Sequence, residues 1–131
     1  MKKVGVAILG LGVVGGGTYQ ILIKHRDFYK KNNGIDIVIE NVLERNQERI
    51  SSLEVGENLV ASGIAEICSN PEVDIVVECL GGIEPARSVV IAALNAGKSV
   101  VTSNKELYCK YSYELEKIAK KNHVGLYYEA C

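Results

Sequence analysis

The sequence predicts an α/β domain built on a doubly wound, mostly parallel sheet with helices on both faces. Three observations predict it. Nearly continuous apolar runs alternate with segments of helical period, as strands buried on both sides require. Glycines break the chain directly after two of these runs, at Gly10 and at Gly81-Gly82, where strand-to-helix turns are expected. The length of 131 residues, 47% of them hydrophobic, suits one domain and is too short for two.

The first strand is Val4 to Leu9, apolar except for Gly5. A helix is expected from about Val13 to Lys31, with Val14, Ile21, Leu22 and Phe28 as its core stripe, ended by Asn32-Asn33-Gly34. Ile35 to Leu43 alternates and reads as the second strand. Residues 44–63 carry the weakest pattern: a short helix over Asn46 to Ser52, then a short third strand over Asn58 to Ala61. Ile64 to Cys68 reads as one more helical turn, closed by Ser69-Asn70-Pro71. Asp74 to Leu80 is a fourth strand, and Pro85 stands where a helix begins, its missing N–H costing nothing there. That helix buries Ala86, Val89, Val90, Ala93 and Leu94 and stops at Gly97. Ser99 to Thr102 is a fifth strand. Leu107, Tyr111, Leu115, Ile118 and Ala119 mark a last helix, and Gly125 to Glu129 a sixth strand.

Composition narrows the function classes. A net charge of −1 gives no basis for nucleic acid or an anionic membrane as partner. No apolar run approaches the ~20 residues that span a bilayer, and Gly10 and Gly12 interrupt what would be a signal peptide's apolar core. The chain reads as cytoplasmic. Cys68, Cys79, Cys109 and Cys131 form no C-x-x-C pair, so no metal site is expected and the thiols read as reduced and mostly buried.

The residues that carry chemistry cluster where the predicted strands end. Gly10-Leu11-Gly12-Val13-Val14-Gly15 follows a strand and opens a helix, the context in which G-x-G-x-x-G marks a Rossmann-type dinucleotide site. Gly10 permits the tight turn, Gly12 lets a pyrophosphate approach the backbone, and Gly15 lets helix and strand pack closely. The helix N-terminus adds free N–H groups and partial positive charge. Glu44-Arg45 ends the second strand: an acid there binds the ribose hydroxyls of NAD, an arginine the 2′-phosphate of NADP. Two solvated charges on a turn read equally simply, and Arg49 is a weaker third candidate. Leu80-Gly81-Gly82 leaves room for a nicotinamide half, or is an ordinary turn. Thr102-Ser103-Asn104-Lys105 ends the fifth strand. An ammonium at Lys105 would stabilise charge developing on an aldehyde oxygen, and its unfavourable place in the first turn of a helix hints at such a use. A surface lysine is the plain alternative. Glu129 ends the sixth strand, placed for a substrate amine or as a charged terminus.

Taken together, these blocks resemble homoserine dehydrogenase: Val6 to Gly15, Asp74 to Arg87, Ala96 to Leu107, and Tyr127-Tyr128-Glu129-Ala130. Residues 44–63 match poorly. The resemblance implies NAD(P)(H)-dependent interconversion of L-homoserine and L-aspartate 4-semialdehyde, on the route to threonine, methionine and isoleucine. It implies that Gly10, Leu11, Gly12, Val13, Val14 and Gly15 hold the pyrophosphate, and that Leu80, Gly81, Gly82, Ser103, Asn104 and Lys105 surround the nicotinamide. It makes Arg45 the family's arginine at the second strand, favouring NADP while Glu44 keeps NAD open. Lys105 and Glu129 become the residues nearest the reaction. The family continues past Tyr-x-Glu-Ala into a domain that supplies the substrate pocket and the interface of a homo-oligomer. Residues 1–131 are therefore expected to be the cofactor domain alone, with weak or no cofactor binding in isolation and negligible turnover. A free-standing NAD(H)-sensing module, and the first domain of another amino-acid dehydrogenase such as aspartate dehydrogenase, are the competing readings.

Overall fold

A computed structural model of the chain describes residues 1–129. Ala130 and Cys131, named above for the last motif and the thiol count, lie outside them. The elements alternate as expected: β1 (Lys2–Leu9), α1 (Val13–Lys24), α2 (Arg26–Asn33), β2 (Ile35–Leu43), α3 (Gln47–Ser52), α4 (Ile64–Ser69), β3 (Ile75–Glu78), α5 (Ala86–Asn95), β4 (Ser99–Thr102), α6 (Lys105–Lys121) and β5 (Leu126–Tyr128). The five strands form one sheet in the order β2-β1-β3-β4-β5, and every pairing is parallel.

The expected third strand, Asn58 to Ala61, is not a strand. Glu57–Leu59 forms one 3₁₀ turn, and a single parallel bridge joins Val60 to Val42 on the outer edge of β2. The bridge still occupies the place of a third strand in a doubly wound sheet. A pairing one residue long leaves no period-2 pattern to read.

Strand alternation sends Ala7, Leu9, Val76 and Val100 into the core beneath α4, α5 and α6, where Ile67, Val90, Leu94, Leu107 and Leu115 meet them. Val6, Ile8 and Ile39 point the other way, toward Tyr19 of α1 and Ile50 of α3. The two faces are unequally covered. On the α1 side, Ile75, Val77 and Val101 line a groove of ~360 Å³ that reaches Ser103 and Glu129 at the sheet's carboxyl edge.

Two expectations for the first helix need correction. It is broken at His25, where the backbone leaves helical geometry. Arg26 Nε and Nη2 then donate to Asp36 at 2.7 and 3.0 Å, drawing α2 down against β2. The buried residues of α1 are Gly15, Gly16 and Tyr19, while Val14, Ile21 and Phe28 are exposed. The first turn of the helix lies so close to the sheet that its contact face is made of glycines; of the expected stripe only Leu22 packs against the core, beside Tyr19. The thiols also differ from expectation: Cys68 and Cys79 are only half-buried and Cys109 is exposed. Burial raises the Cys68 thiol above its ordinary pKa.

Candidate functional site

The carboxyl ends of β1, β2, β3 and β4 meet at the point where the chain leaves β1 for β2 on one side and reaches β3 on the other. In open parallel sheets this is where ligands bind. Each motif glycine does a different job there. Gly10 sits at φ +91°, in the left-handed region that a side chain disfavours, and a Cβ there would meet the Cys79 carbonyl at 2.8 Å. A Cβ on Gly15 would lie 1.8 Å from the Gly10 carbonyl oxygen. A Cβ on Gly12 would meet nothing within 4 Å. The first and third glycines therefore close the turn, and the second holds a space open above it.

Gly12 is the N-cap of α1 and provides no side-chain cap, and the first turn holds no acidic residue. The first hydrogen bond of the helix runs from Gly16 N–H to Gly12 O at 2.8 Å. The N–H groups of Gly12, Val13 and Val14 are left facing that open space without a partner among the described residues. Val13 is 92% exposed, so side chains do not roof the turn.

Leu11 departs from expectation. Its side chain is fully buried, its N–H donates to Glu44 Oε1 at 2.6 Å, and its carbonyl accepts from Arg49 Nε at 2.7 Å. Leu11 anchors the turn. Arg49 Nη2 reaches the Gly12 carbonyl as well, at 3.3 Å. Glu44 and Arg49, which sequence reasoning placed at the ribose, clamp the glycine turn from α3 and the end of β2. The other Glu44 oxygen accepts from the N–H groups of Arg45 and Asn46, both at 3.0 Å. Arg45 itself is exposed, and its guanidinium makes no hydrogen bond or ion pair among the described residues.

Arg45 and Leu80 are brought together across a cleft of ~470 Å³. Its other walls come from Leu43 and Glu44 at the end of β2, from Ala61, Ser62, Gly63 and the first residue of α4, Ile64, and from Pro85 and Val89 at the start of α5. Sequence reasoning missed Ala61, Ser62 and Gly63 as site residues because they fall in the segment with the weakest pattern. The signal that was present is Ser62-Gly63 directly ahead of an apolar helical turn.

On the other flank, Gly81 and Gly82 are exposed and adopt φ +75° and +72°, with open space where a Cβ would stand. Asn104 is 5% exposed. Its Oδ1 accepts from Leu107 N–H at 3.1 Å as the N-cap of α6, and its Nδ2 donates to the Gly82 carbonyl at 2.6 Å. Expected as a cofactor contact, it ties the two loops together beneath the sheet edge. Ser103 N–H donates to the Glu78 carbonyl at 3.2 Å. Lys105 opens α6, exposed and unpaired among the described residues. Glu129 N–H donates to the Thr102 carbonyl at 3.1 Å, which fixes that residue's backbone beside β4. Its exposed side chain lines the groove shared with Val14, Thr18 and Ser103. At the start of α5, the Ser88 hydroxyl and N–H hold the Glu84 carboxyl below its ordinary pKa.

Among the described residues no cluster of metal-ligating side chains occurs, and no helix is long and apolar enough to cross a membrane.

A family model described as the NAD binding domain of homoserine dehydrogenase matches residues 10–129. Homoserine dehydrogenase of Bacillus subtilis is 34% identical over 99% of this chain and 30% of its own length. That of Lactococcus lactis is 38% identical over 97% of this chain and 30% of its own. Among solved structures, S. aureus homoserine dehydrogenase superposes with TM-score 0.89 at 36% identity, covering 98% of this chain and 32% of that one. A hyperthermophilic archaeal homoserine dehydrogenase in complex with NADPH gives TM-score 0.78 at 26% identity, covering 98% and 44%. The chain thus spans about 30% of the length of the curated relatives it matches.

Proposed function

The chain belongs to the homoserine dehydrogenase family, as its NAD-binding domain, and from that premise we propose that it holds a nicotinamide dinucleotide across the carboxyl edge of its sheet for an enzyme interconverting L-homoserine and L-aspartate 4-semialdehyde. The observation that carries this reading is the open space above Gly12, floored by the unpartnered N–H groups of Gly12, Val13 and Val14. That cradle fits a diphosphate: donors converge at a helix N-terminus, and no side chain fills the approach.

The rest of the edge sorts by side. The cleft between Arg45 and Val89 takes the adenosine half, and Gly81, Gly82 and Ser103 flank the nicotinamide half. When bound, the cofactor supplies the hydride. Lys105 brings a free ammonium toward the oxygen whose charge grows during aldehyde reduction. Glu129 lines the groove beside it and faces the substrate. Substrate capture and turnover fall to a domain outside residues 1–131, and a homo-oligomer is the working form.

Glu44 already accepts three N–H groups, while Arg45 is uncommitted, so the 2′-phosphate of NADPH has the better partner. Arg45→Ala is expected to weaken NADPH binding by roughly 10- to 100-fold, the worth of a charge-assisted hydrogen bond, and to leave NADH binding within twofold. Titrations of both coenzymes followed by amide chemical shifts measure the difference. Equal losses for the two would contradict the assignment.

A further inference from the structure

Glu78 ends β3 with no solvent exposure, in register beside Thr102 of β4. Both side chains point to the α5 and α6 face, beneath the two loops that flank the nicotinamide side. The Glu78 carboxyl is shared between those loops. Oε1 accepts from the Thr102 hydroxyl at 2.6 Å, and Oε2 accepts from Leu80 N–H at 2.8 Å. Asn104 Nδ2 approaches Oε2 at 3.5 Å. The chain of contacts continues, since Asn104 N–H donates to Thr102 Oγ1 at 3.0 Å and Asn104 Nδ2 to the Gly82 carbonyl. Asn104 joins the two loops from within one of them, and Glu78 holds both from beneath. A buried acid between two apolar strands is costly unless its oxygens are satisfied, and here the partners are the last residue of β4, Thr102, and two groups of the following loops, Leu80 N–H and Asn104 Nδ2.

We infer that Glu78 is a positioning residue that locks the 80–82 and 103–105 loops into one wall of the site, without touching cofactor or substrate. The inference rests on the dinucleotide reading above for its functional consequence, but its structural part stands alone. Glutamine at 78 keeps the shape and exchanges one acceptor for a donor. An NH₂ group then faces either the Leu80 N–H, where donor meets donor and the link opens, or the Thr102 oxygen, where the hydroxyl must turn from donor to acceptor and the link weakens.

The test compares Glu78→Gln, Thr102→Val and the double variant with the parent chain. Amide hydrogen exchange without ligand reads the lock directly. Exchange at Leu80 and Asn104 is expected to accelerate about tenfold, the loss of one well-placed hydrogen bond, while the amides of β1 stay within twofold. Titration then uses NADPH and 2′-phospho-ADP-ribose, the same molecule without nicotinamide. In Glu78→Gln, NADPH affinity is expected to fall about tenfold and the fragment's to hold, with the double variant no weaker than the single one. Thr102→Val, which keeps the carboxyl and removes only the hydroxyl, carries the test if Glu78→Gln does not fold. A uniform rise in exchange across the sheet, or equal loss of both ligands, would make Glu78 a general stabiliser and overturn the inference. Failure to bind either ligand when the chain is joined to the remainder of its enzyme would sink the dinucleotide reading, while the exchange pattern would still decide whether the lock exists.

Discussion

Gly12→Thr is expected to leave the chain folded and to abolish dinucleotide binding. The reasoning is local. A Cβ at residue 12 meets nothing within 4 Å, so the new side chain enters free space and displaces no neighbour. Threonine is about as good an N-cap as glycine, so the helix loses at most a few tenths of a kcal/mol. Its hydroxyl accepts from an N–H of the first turn of α1, and its methyl group fills the approach. Both effects remove what a diphosphate needs. Losing two or more charge-assisted hydrogen bonds corresponds to roughly 100-fold or more in affinity. An unchanged thermal midpoint with no saturable response to NADPH is the expected pair of results.

Gly15→Ala is the mirror case, in which the fold is weakened. The added methyl carbon would stand 1.8 Å from the Gly10 carbonyl oxygen, and that oxygen belongs to a backbone held at φ +91°. Nothing flexible is available to move. Either α1 lifts away from β1 or the turn opens, and both strip packing from Tyr19, which is 7% exposed in the core under α1. Overpacking costs ~1–3 kcal/mol in ordinary cores; against rigid backbone the upper end applies, which is a drop of about 10 °C in midpoint for a domain of this size. Thermal unfolding of the two glycine variants side by side separates their roles. If Gly15→Ala melted with the parent, the close packing of helix and strand would not be what the third glycine is for.

Much of the fold was legible in the sequence. Ile35–Leu43 and Ser99–Thr102 are strands with the expected bounds, the first because its apolar residues alternate after Asn33-Gly34, the second because Gly97-Lys98 and Ser103-Asn104 close off a short β-branched run. The face of α1 was misread for a physical reason. Helical period identifies large apolar residues, but Gly15 and Gly16 let the backbone itself be the contact surface. The glycine turn was legible because its chemistry is local: three residues with distinct steric jobs at fixed spacing. Arg45 and Lys105 stood out as cations at strand ends, and both are exposed and uncommitted at the site. The clamp on Leu11 was not legible, since Glu44 and Arg49 reach it across 33 and 38 residues. Nor was the Glu78 lock, although one acid inside Ile75-Val76-Val77-Glu78-Cys79-Leu80 was its visible trace. Position in the chain announces such a residue; only tertiary packing shows what it holds.

The central claim concerns the peptide groups at the start of α1, and amide chemical shifts report on them one residue at a time. On addition of NADPH, the Gly12, Val13 and Val14 resonances should move furthest and saturate together, with Arg45, Gly81 and Gly82 following along the edge of the sheet. Saturable binding that leaves those three amides still while moving residues elsewhere would contradict it.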